Sequence, residues 1–302
     1  MAVKMEEQAN RGDTVVVQRQ SVAWRKPIFW AGETILWVLL IGMALIEIAP
    51  ITWMFSTSLR DPKDSFNLPP DFWPTAFHWQ NYAAVIGSPD INFLLFFWNS
   101  LKIALIVTAA QLITCSMAGF AFGRLRFPGR DLIFGVFLAS LMVPATVTLI
   151  PSFILIRYLS LMDSHWALIL PAVTSAFGVF LLRQHFKSLP QDLVDAARID
   201  GAGYWRIYWR IMLPLTGPAL SALGIFTFLG AWNNFLGPLL YLRSWERYTF
   251  PIAIATLQGY MGSGNQSEVL AGIMISIFPI LLMFLLGQRW IVKGTAVTGL
   301  KG

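Results

Sequence analysis

The residues best suited to specific chemistry crowd into one polar stretch of an otherwise apolar chain. It reads Ser188-Leu-Pro-Gln191-Asp-Leu-Val-Asp195-Ala196-Ala197-Arg198-Ile199-Asp200-Gly201-Ala202, then Gly203-Tyr204-Trp205-Arg206-Ile207-Tyr208-Trp209-Arg210-Ile211-Met212-Leu213-Pro214. Ser188 and Gln191 match a capping box, with Pro190 tolerated in the first turn. The spacing predicts a helix over 189–200 with Leu193, Ala196, Ala197 and Asp200 on one face. Gly201 is the natural breaker, able to adopt positive φ. A second helix is expected from Gly203, with Tyr204, Ile207, Tyr208 and Ile211 as one stripe and Arg206 and Arg210 beside it. Pro214 punctuates its end. The chemistry this offers is association: small residues permit close approach, and aromatics and arginines anchor interfaces. An amphipathic element lying on lipid is equally compatible with the pattern.

A second set of polar residues lies inside apolar runs: Glu47, Lys102, Gln111, Asn233 and Asn234. The two asparagines could hydrogen-bond hydroxyls, with Trp232 offering a stacking face for a sugar; hydrogen bonding between helices is the alternative. Neighbouring helix positions point about 100° apart, so the two divide between a path and a packed face. Gly230 and Gly237 flank Asn233 by one turn and favour it for the path. Glu47, at a depth costing roughly 2.5–3.5 kcal/mol for a carboxylate, must face protein or water. Lys102 can snorkel outward.

Catalytic constellations are missing from the pattern. His78, His165 and His185 are scattered, and the one cysteine, Cys115, sits in an apolar run. Nothing reads as a metal cluster, a nucleophile elbow or a phosphate-binding Gly-x-x-x-x-Gly-Lys-Ser/Thr loop. No catalytic residue, metal or cofactor is expected in this chain, and it is not expected to be an enzyme. No basic stripe with interleaved aromatics suggests nucleic acid, despite a net charge of +6.

The elements that must position these residues follow from composition. Of 302 residues, 56% are hydrophobic and 13% charged, about half the usual charged share of soluble domains. The apolar residues fall into runs of about 20, the length that crosses a hydrocarbon core. Six spans are expected, near 33–55, 93–123, 131–156, 165–182, 215–241 and 269–291, giving an all-α integral membrane protein. Pro144 and Pro151 in the third suggest a kink, through either cavity lining or simple packing. Gly119 and Gly123 in the second form a small-xxx-small pattern that lets another helix approach. The organisation is a polar tail over 1–32, a membrane domain over 33–292 with the polar loop at 183–214, and a tail over 293–302. Gln258 to Gln266 reads as a Gly-rich outer loop. Sixteen of the 22 Lys and Arg fall on the side of the tails and that loop, so the positive-inside rule places both termini and the loop in the cytoplasm.

The polar loop resembles the EAA motif of permease subunits in binding-protein-dependent ABC importers. The family pattern is Glu-Ala-Ala, three residues, Gly, nine residues, Ile, one residue, Leu-Pro. Here Asp195-Ala196-Ala197, Gly201, Ile211 and Leu213-Pro214 keep every spacing, with Asp195 replacing Glu as the single departure. Asp200-Gly201-Ala202, Trp232-Asn233-Asn234-Phe235 and the segment from Lys293 to Gly302 are similar to carbohydrate permeases of the maltose-importer type, over roughly residues 30–302. The resemblance implies the type I permease fold and a coupling helix docked on a separate ATPase. Asp195, Ala196, Ala197, Asp200, Gly201, Tyr204, Arg206, Ile211, Leu213 and Pro214 would form the coupling element. Trp232, Asn233, Asn234, Glu47 and Gln111 would line the solute path. The implied partners are a second permease subunit, two copies of the ATPase carrying ATP and Mg, an extracytoplasmic solute-binding protein, a sugar-like solute and the bilayer of a bacterial or archaeal plasma membrane. The outer loop would reach toward the binding protein, or serve as a plain flexible linker. The rival reading is an ion-coupled secondary transporter, which would usually show internal repeats and midplane ionisable groups.

Overall fold

The computed structural model describes residues 26–65, 73–88, 91–260 and 265–298. The tail 1–25, the loop tip 261–264 and the last four residues, all included in the expectations above, lie outside the described residues. Among those described every regular element is helical: α1 (Lys26–Ser58), α2 (Gln80–Ile86), α3 (Phe93–Arg124), α4 (Arg130–Ser140), α5 (Ala145–Tyr158), α6 (Trp166–Ile169) and α7 (Ala176–Ser188). There follow α8 (Asp192–Ile199), α9 (Tyr204–Ile207), α10 (Leu213–Leu215), α11 (Gly217–Trp232), α12 (Leu236–Tyr241), α13 (Phe250–Tyr260) and α14 (Gln266–Thr298). Residues 26–32 and 293–298, read as tail, are therefore helical.

Among the described residues four helical stretches are long and apolar enough to cross a bilayer, Gly32–Ser58, Phe93–Arg124, Trp166–Ser188 and Gln266–Trp290; counting each of two bent pairs as one span brings the number to six. The third span is two helices, α4 and α5, meeting at 100°. Pro144 stands extended at φ −60°, ψ 137° immediately before α5; lacking an N–H, it starts a helix well and continues one badly. The fifth span was expected as one helix to 241. Instead α11 ends at Trp232 and α12 is a separate short helix. The segment read as a loop after it contains α13, whose 11 residues rise only about 16 Å, too short to span.

The chain divides into two units, Met1–Thr52 and Trp53–Gly302. In the first, α1 is apolar all round and its most apolar stretch is exposed, the composition of a helix meant for hydrocarbon or for another subunit. In the second, α3 is the central helix, packed on α7 and α11, with α14 against α11. One end of α3 joins a cluster of Phe120, Phe186, Val179, Leu182, Tyr208 and Met212; the other joins Phe93, Phe96, Phe228, Trp232 and Phe250. A Cβ on Gly119 would lie 2.9 Å from Leu182 Cβ and 3.0 Å from the Arg183 nitrogen, so the small-residue pattern marks the α3–α7 contact.

Pro171 breaks the helix before α7, and the freed carbonyls find partners on α3. Gln111 Nε2 donates to the Ala172 carbonyl at 2.8 Å, and Thr114 Oγ1 to that of Val173 at 2.6 Å. Broken helices persist in membranes only when such groups are satisfied internally.

At the end of the second unit opposite the polar loop, Asp163 ties two connections together. Its carboxylate accepts the Arg243 and Ser244 amides at 2.9 Å each and the Ser244 hydroxyl, and its own amide donates to the Tyr241 carbonyl at 2.7 Å. The Ser244 hydroxyl, then the two amides, and lastly Arg247 at 3.7 Å hold its pKa down at about 2. A depressed carboxylate stabilises the fold above its unfolded pKa and loses that contribution as pH falls through the folded value. Asp163→Asn is therefore expected to lower Tm at pH 6, with the deficit vanishing towards pH 2. A deficit of equal size at both pH values would show that ionisation is irrelevant.

Candidate functional site

The polar loop folds as two short helices about a glycine hinge. Its start differs from the expected capping box. α7 continues through Ser188, whose hydroxyl donates to the His185 carbonyl at 2.8 Å. Pro190 forces Leu189 into an extended conformation, φ −71°, ψ 150°. The helix then opens at Asp192, with Gln191 preceding it and making no side-chain cap. Asp192 and Asp195 in the first turn and Arg198 in the last suit the helix dipole.

The face of α8 buried within this chain is Val194 and Ala197, which leaves Leu193, Ala196 and Asp200 of the shared face outward. Of the four on that face only Ala197 packs inward, because Val194, one turn before it, supplies the larger apolar side chain. α8 ends in a Schellman arrangement: the Gly201 amide donates to Arg198 at 3.0 Å and the Ala202 amide to Ala197 at 2.9 Å, with Gly201 at φ +76°. The Arg198 guanidinium sits 5.2 Å over the Tyr204 ring, bridging the hinge. Beyond it, Ile207, Tyr208 and Met212 are buried, and the Tyr208 hydroxyl meets Ser116 of α3 at 2.7 Å. Of the expected stripe, Tyr204 is exposed and Ile211 half-buried.

The structure thus places Ala197 inward, Ile211 and Leu213 at the boundary, and Asp195, Ala196, Asp200, Gly201, Tyr204, Arg206 and Pro214 on the surface. Ile199 at 87% exposure and Trp205 at 62%, beside Trp209 and Tyr204, give this surface large solvent-exposed apolar groups. Sequence reasoning missed the support beneath it. Arg124, at the end of α3, donates to Gln191 Oε1 at 2.6 Å and to the Leu189 carbonyl, and Gln191 Nε2 donates to Asp195 at 3.1 Å. A motif scan reads spacing along one segment, and Arg124 enters from another.

The second feature is a cavity of about 210 Å³ between α3, α6, α11 and the strand of chain before α13. Gln111 and Asn234 both line it, with Ser100, Thr227, Gly230 and Thr249. Gln111 Oε1 accepts the Thr227 hydroxyl at 3.0 Å, and Asn234 Oδ1 accepts the Gly237 amide at 3.1 Å. Asn233 lines a different depression with Phe250, Pro251 and Gln258. The two asparagines thus line different depressions, and Gly230 shares its cavity with Asn234 rather than Asn233, because α11 ends at Trp232.

Trp232 is not a stacking platform. It is 1% exposed, with Phe228 and Phe250 stacked on it at 5.9 and 5.7 Å and Phe97 edge-on at 5.4 Å. Its rings are spent on the aromatic core. Lys102 is exposed on α3, and Glu47 is exposed on α1 within the first unit. Ser100, Thr227 and Thr249 carried no sequence signal, since short hydroxyl side chains are ordinary in apolar helices.

Comparison with known proteins follows these features closely. A family model described as binding-protein-dependent transport system inner membrane component matches residues 115–296, which contain both the hinge element and most of the cavity wall. The arabinooligosaccharides transport system permease protein AraQ of Halalkalibacterium halodurans is 36% identical over 271 residues, covering 88% of this chain and 96% of that one. The sn-glycerol-3-phosphate transport system permease protein UgpE of Yersinia enterocolitica is 34% identical over 262 residues, 85% of this chain and 93% of its own. Among solved structures, a bacterial ABC transporter involved in import of the acidic polysaccharide alginate superposes with a TM-score of 0.73 at 23% identity, over 88% of this chain and 98% of that one, a likeness of fold.

Proposed function

The chain belongs to the family of binding-protein-dependent transport system inner membrane components, and on that premise we propose that it carries a sugar or related polyhydroxy solute across the membrane. A permease of this family is not itself an enzyme. ATP and Mg belong to a separate ATPase present in two copies, and a second permease subunit and an extracytoplasmic solute-binding protein complete the importer. The family replaces the ion-coupled secondary transporter weighed against it.

The observation that supports this reading best is the hinge element: two short helices locked around Gly201, presenting Ile199, Tyr204, Trp205 and Trp209 outward. Large aromatics left in water are costly unless a partner covers them. Seated on the ATPase, this surface receives the motion of ATP binding and passes it through Tyr208–Ser116 and Arg124 to α3. Both termini and the hinge element face the cytoplasm, in accord with the bias of Lys and Arg. The names of the relatives, arabinooligosaccharide and glycerol-3-phosphate permeases, support the polyhydroxy class.

The solute passes the cavity held by Gln111 and Asn234. In the reconstituted importer, Asn234→Ala is expected to lower uptake about fivefold, the equivalent of one hydrogen bond of about 1 kcal/mol. Asn233→Ala leaves uptake unchanged. Equal losses from the two substitutions would remove the cavity from the path.

A further inference from the structure

We infer that the cavity between α3 and α11 is built for an uncharged polyhydroxy solute and that Thr249 is a specificity-determining residue in it; the inference rests on the import reading above. The first observation is an orphan. Thr249 is 3% exposed and lines the cavity, yet its hydroxyl has no hydrogen-bond partner. A buried unpaired hydroxyl is costly and needs a reason. Thr249 belongs to the cavity wall, so a solute hydroxyl or water entering there is the nearest partner available to that hydroxyl.

The second observation is the character of the wall. No charged side chain is among the residues that line the cavity. Asn234 keeps its amide donors, since its bond to the Gly237 amide uses Oδ1. Thr227 donates to Gln111 and keeps its lone pairs; Ser100 accepts from the Phe250 amide and keeps its own proton. The wall therefore offers donors and acceptors together. Sugar hydroxyls are both, so they match it. A phosphate or carboxylate only accepts and requires cations or free amides.

The third observation closes the remaining route to an anion site. The N-terminus of α13 abuts the cavity at Thr249, the geometry that commonly receives phosphate. Here its amides are consumed. Phe250 donates to Ser100 Oγ at 2.8 Å, residue 251 is proline, and Ile252 and Ala253 both donate to the Thr249 carbonyl at 3.1 Å. A glycerol-phosphate-type solute thus finds no cation and no open backbone amide in this wall, and the Asn234 side-chain amide alone does not replace them.

The test uses the complete importer in proteoliposomes with its own binding protein. The probes are radiolabelled arabinotriose, lactose and sn-glycerol 3-phosphate. We expect uptake of a neutral sugar and none of sn-glycerol 3-phosphate. Thr249→Val, which keeps the shape and deletes the hydroxyl, is expected to cut neutral-sugar uptake roughly threefold to tenfold, the range for one net hydrogen bond, while leaving Tm unchanged or raised. Thr249→Ser restores uptake. Uptake of sn-glycerol 3-phosphate, a drop in Tm for Thr249→Val, or ATPase stimulation without uptake of either neutral sugar overturns the inference and leaves the import reading standing. Absence of both binding-protein-stimulated ATP hydrolysis and uptake of every probe overturns the import reading and this inference with it.

Discussion

Gly201→Val is expected to leave the importer assembled in the membrane and to cut both uptake and binding-protein-stimulated ATP hydrolysis by more than tenfold. The cause is the backbone alone. Gly201 sits at φ +76°, and a Cβ built on it meets nothing within 4 Å, so a larger side chain has room. What it lacks is the conformation: a β-branched residue in the left-handed region costs about 1–3 kcal/mol. That is enough to break the Schellman turn joining α8 to α9. The two helices are held to the bundle separately, α8 through Val194, Ala197 and the Arg124–Gln191–Asp195 chain, α9 through Ile207 and through Tyr208, which follows it directly. With the hinge strained, each keeps its own anchor and the relative placement of Ile199 and Trp205 is lost. Gly201→Asp is milder, because aspartate tolerates this region better. Stimulated ATP hydrolysis and solute uptake, measured together in proteoliposomes, decide the matter; wild-type stimulation in Gly201→Val would reject the hinge.

The hinge was legible in the sequence because it is local. Gly201 between two amphipathic periods predicts a break wherever the element sits. The six apolar runs were legible for the same reason, since bilayer thickness sets their length. What could not be read was anything decided across the bundle. Ser188 looks like a cap by its neighbours, but Pro190 makes residue 189 extended and hands Ser188 to α7. Trp232 looks like a sugar platform until Phe97, Phe228 and Phe250, none of them adjacent in sequence, enclose it. Helical geometry alone puts Asn233 and Asn234 about 100° apart; because α11 ends at Trp232, they instead line two different depressions. Asp163 sits in a short polar connection, and its partners at 243, 244 and 247 lie about 80 residues on.

The largest loss of stability is expected from Gly119→Leu. Gly119 lies where α3 and α7 come closest, and the atoms a Cβ would strike, Leu182 Cβ and the Arg183 nitrogen, cannot swing aside as the tip of a flexible side chain could. The helix itself has to move. α7 is tethered on both flanks of the contact, by Gln111 and Thr114 on the Ala172 and Val173 carbonyls and by Arg183. That guanidinium packs 3.8 Å over Phe134 and donates to the Phe122 carbonyl at 3.2 Å. Relieving the clash therefore breaks buried polar bonds as well as packing. Overpacking alone costs about 1–3 kcal/mol, and loss of either tether adds about 1 kcal/mol or less. Gly119→Ala shows the same effect at smaller size. Gly135→Ala on α4 is the control: its Cβ meets nothing within 4 Å, so no comparable loss is expected there. Because α7 leads directly into Leu189 and α8, a displaced α7 also carries the hinge element with it. Thermal unfolding of the detergent-solubilised complex separates the cases; matching Tm values for Gly119→Ala and Gly135→Ala would show that α3 and α7 do not depend on this approach.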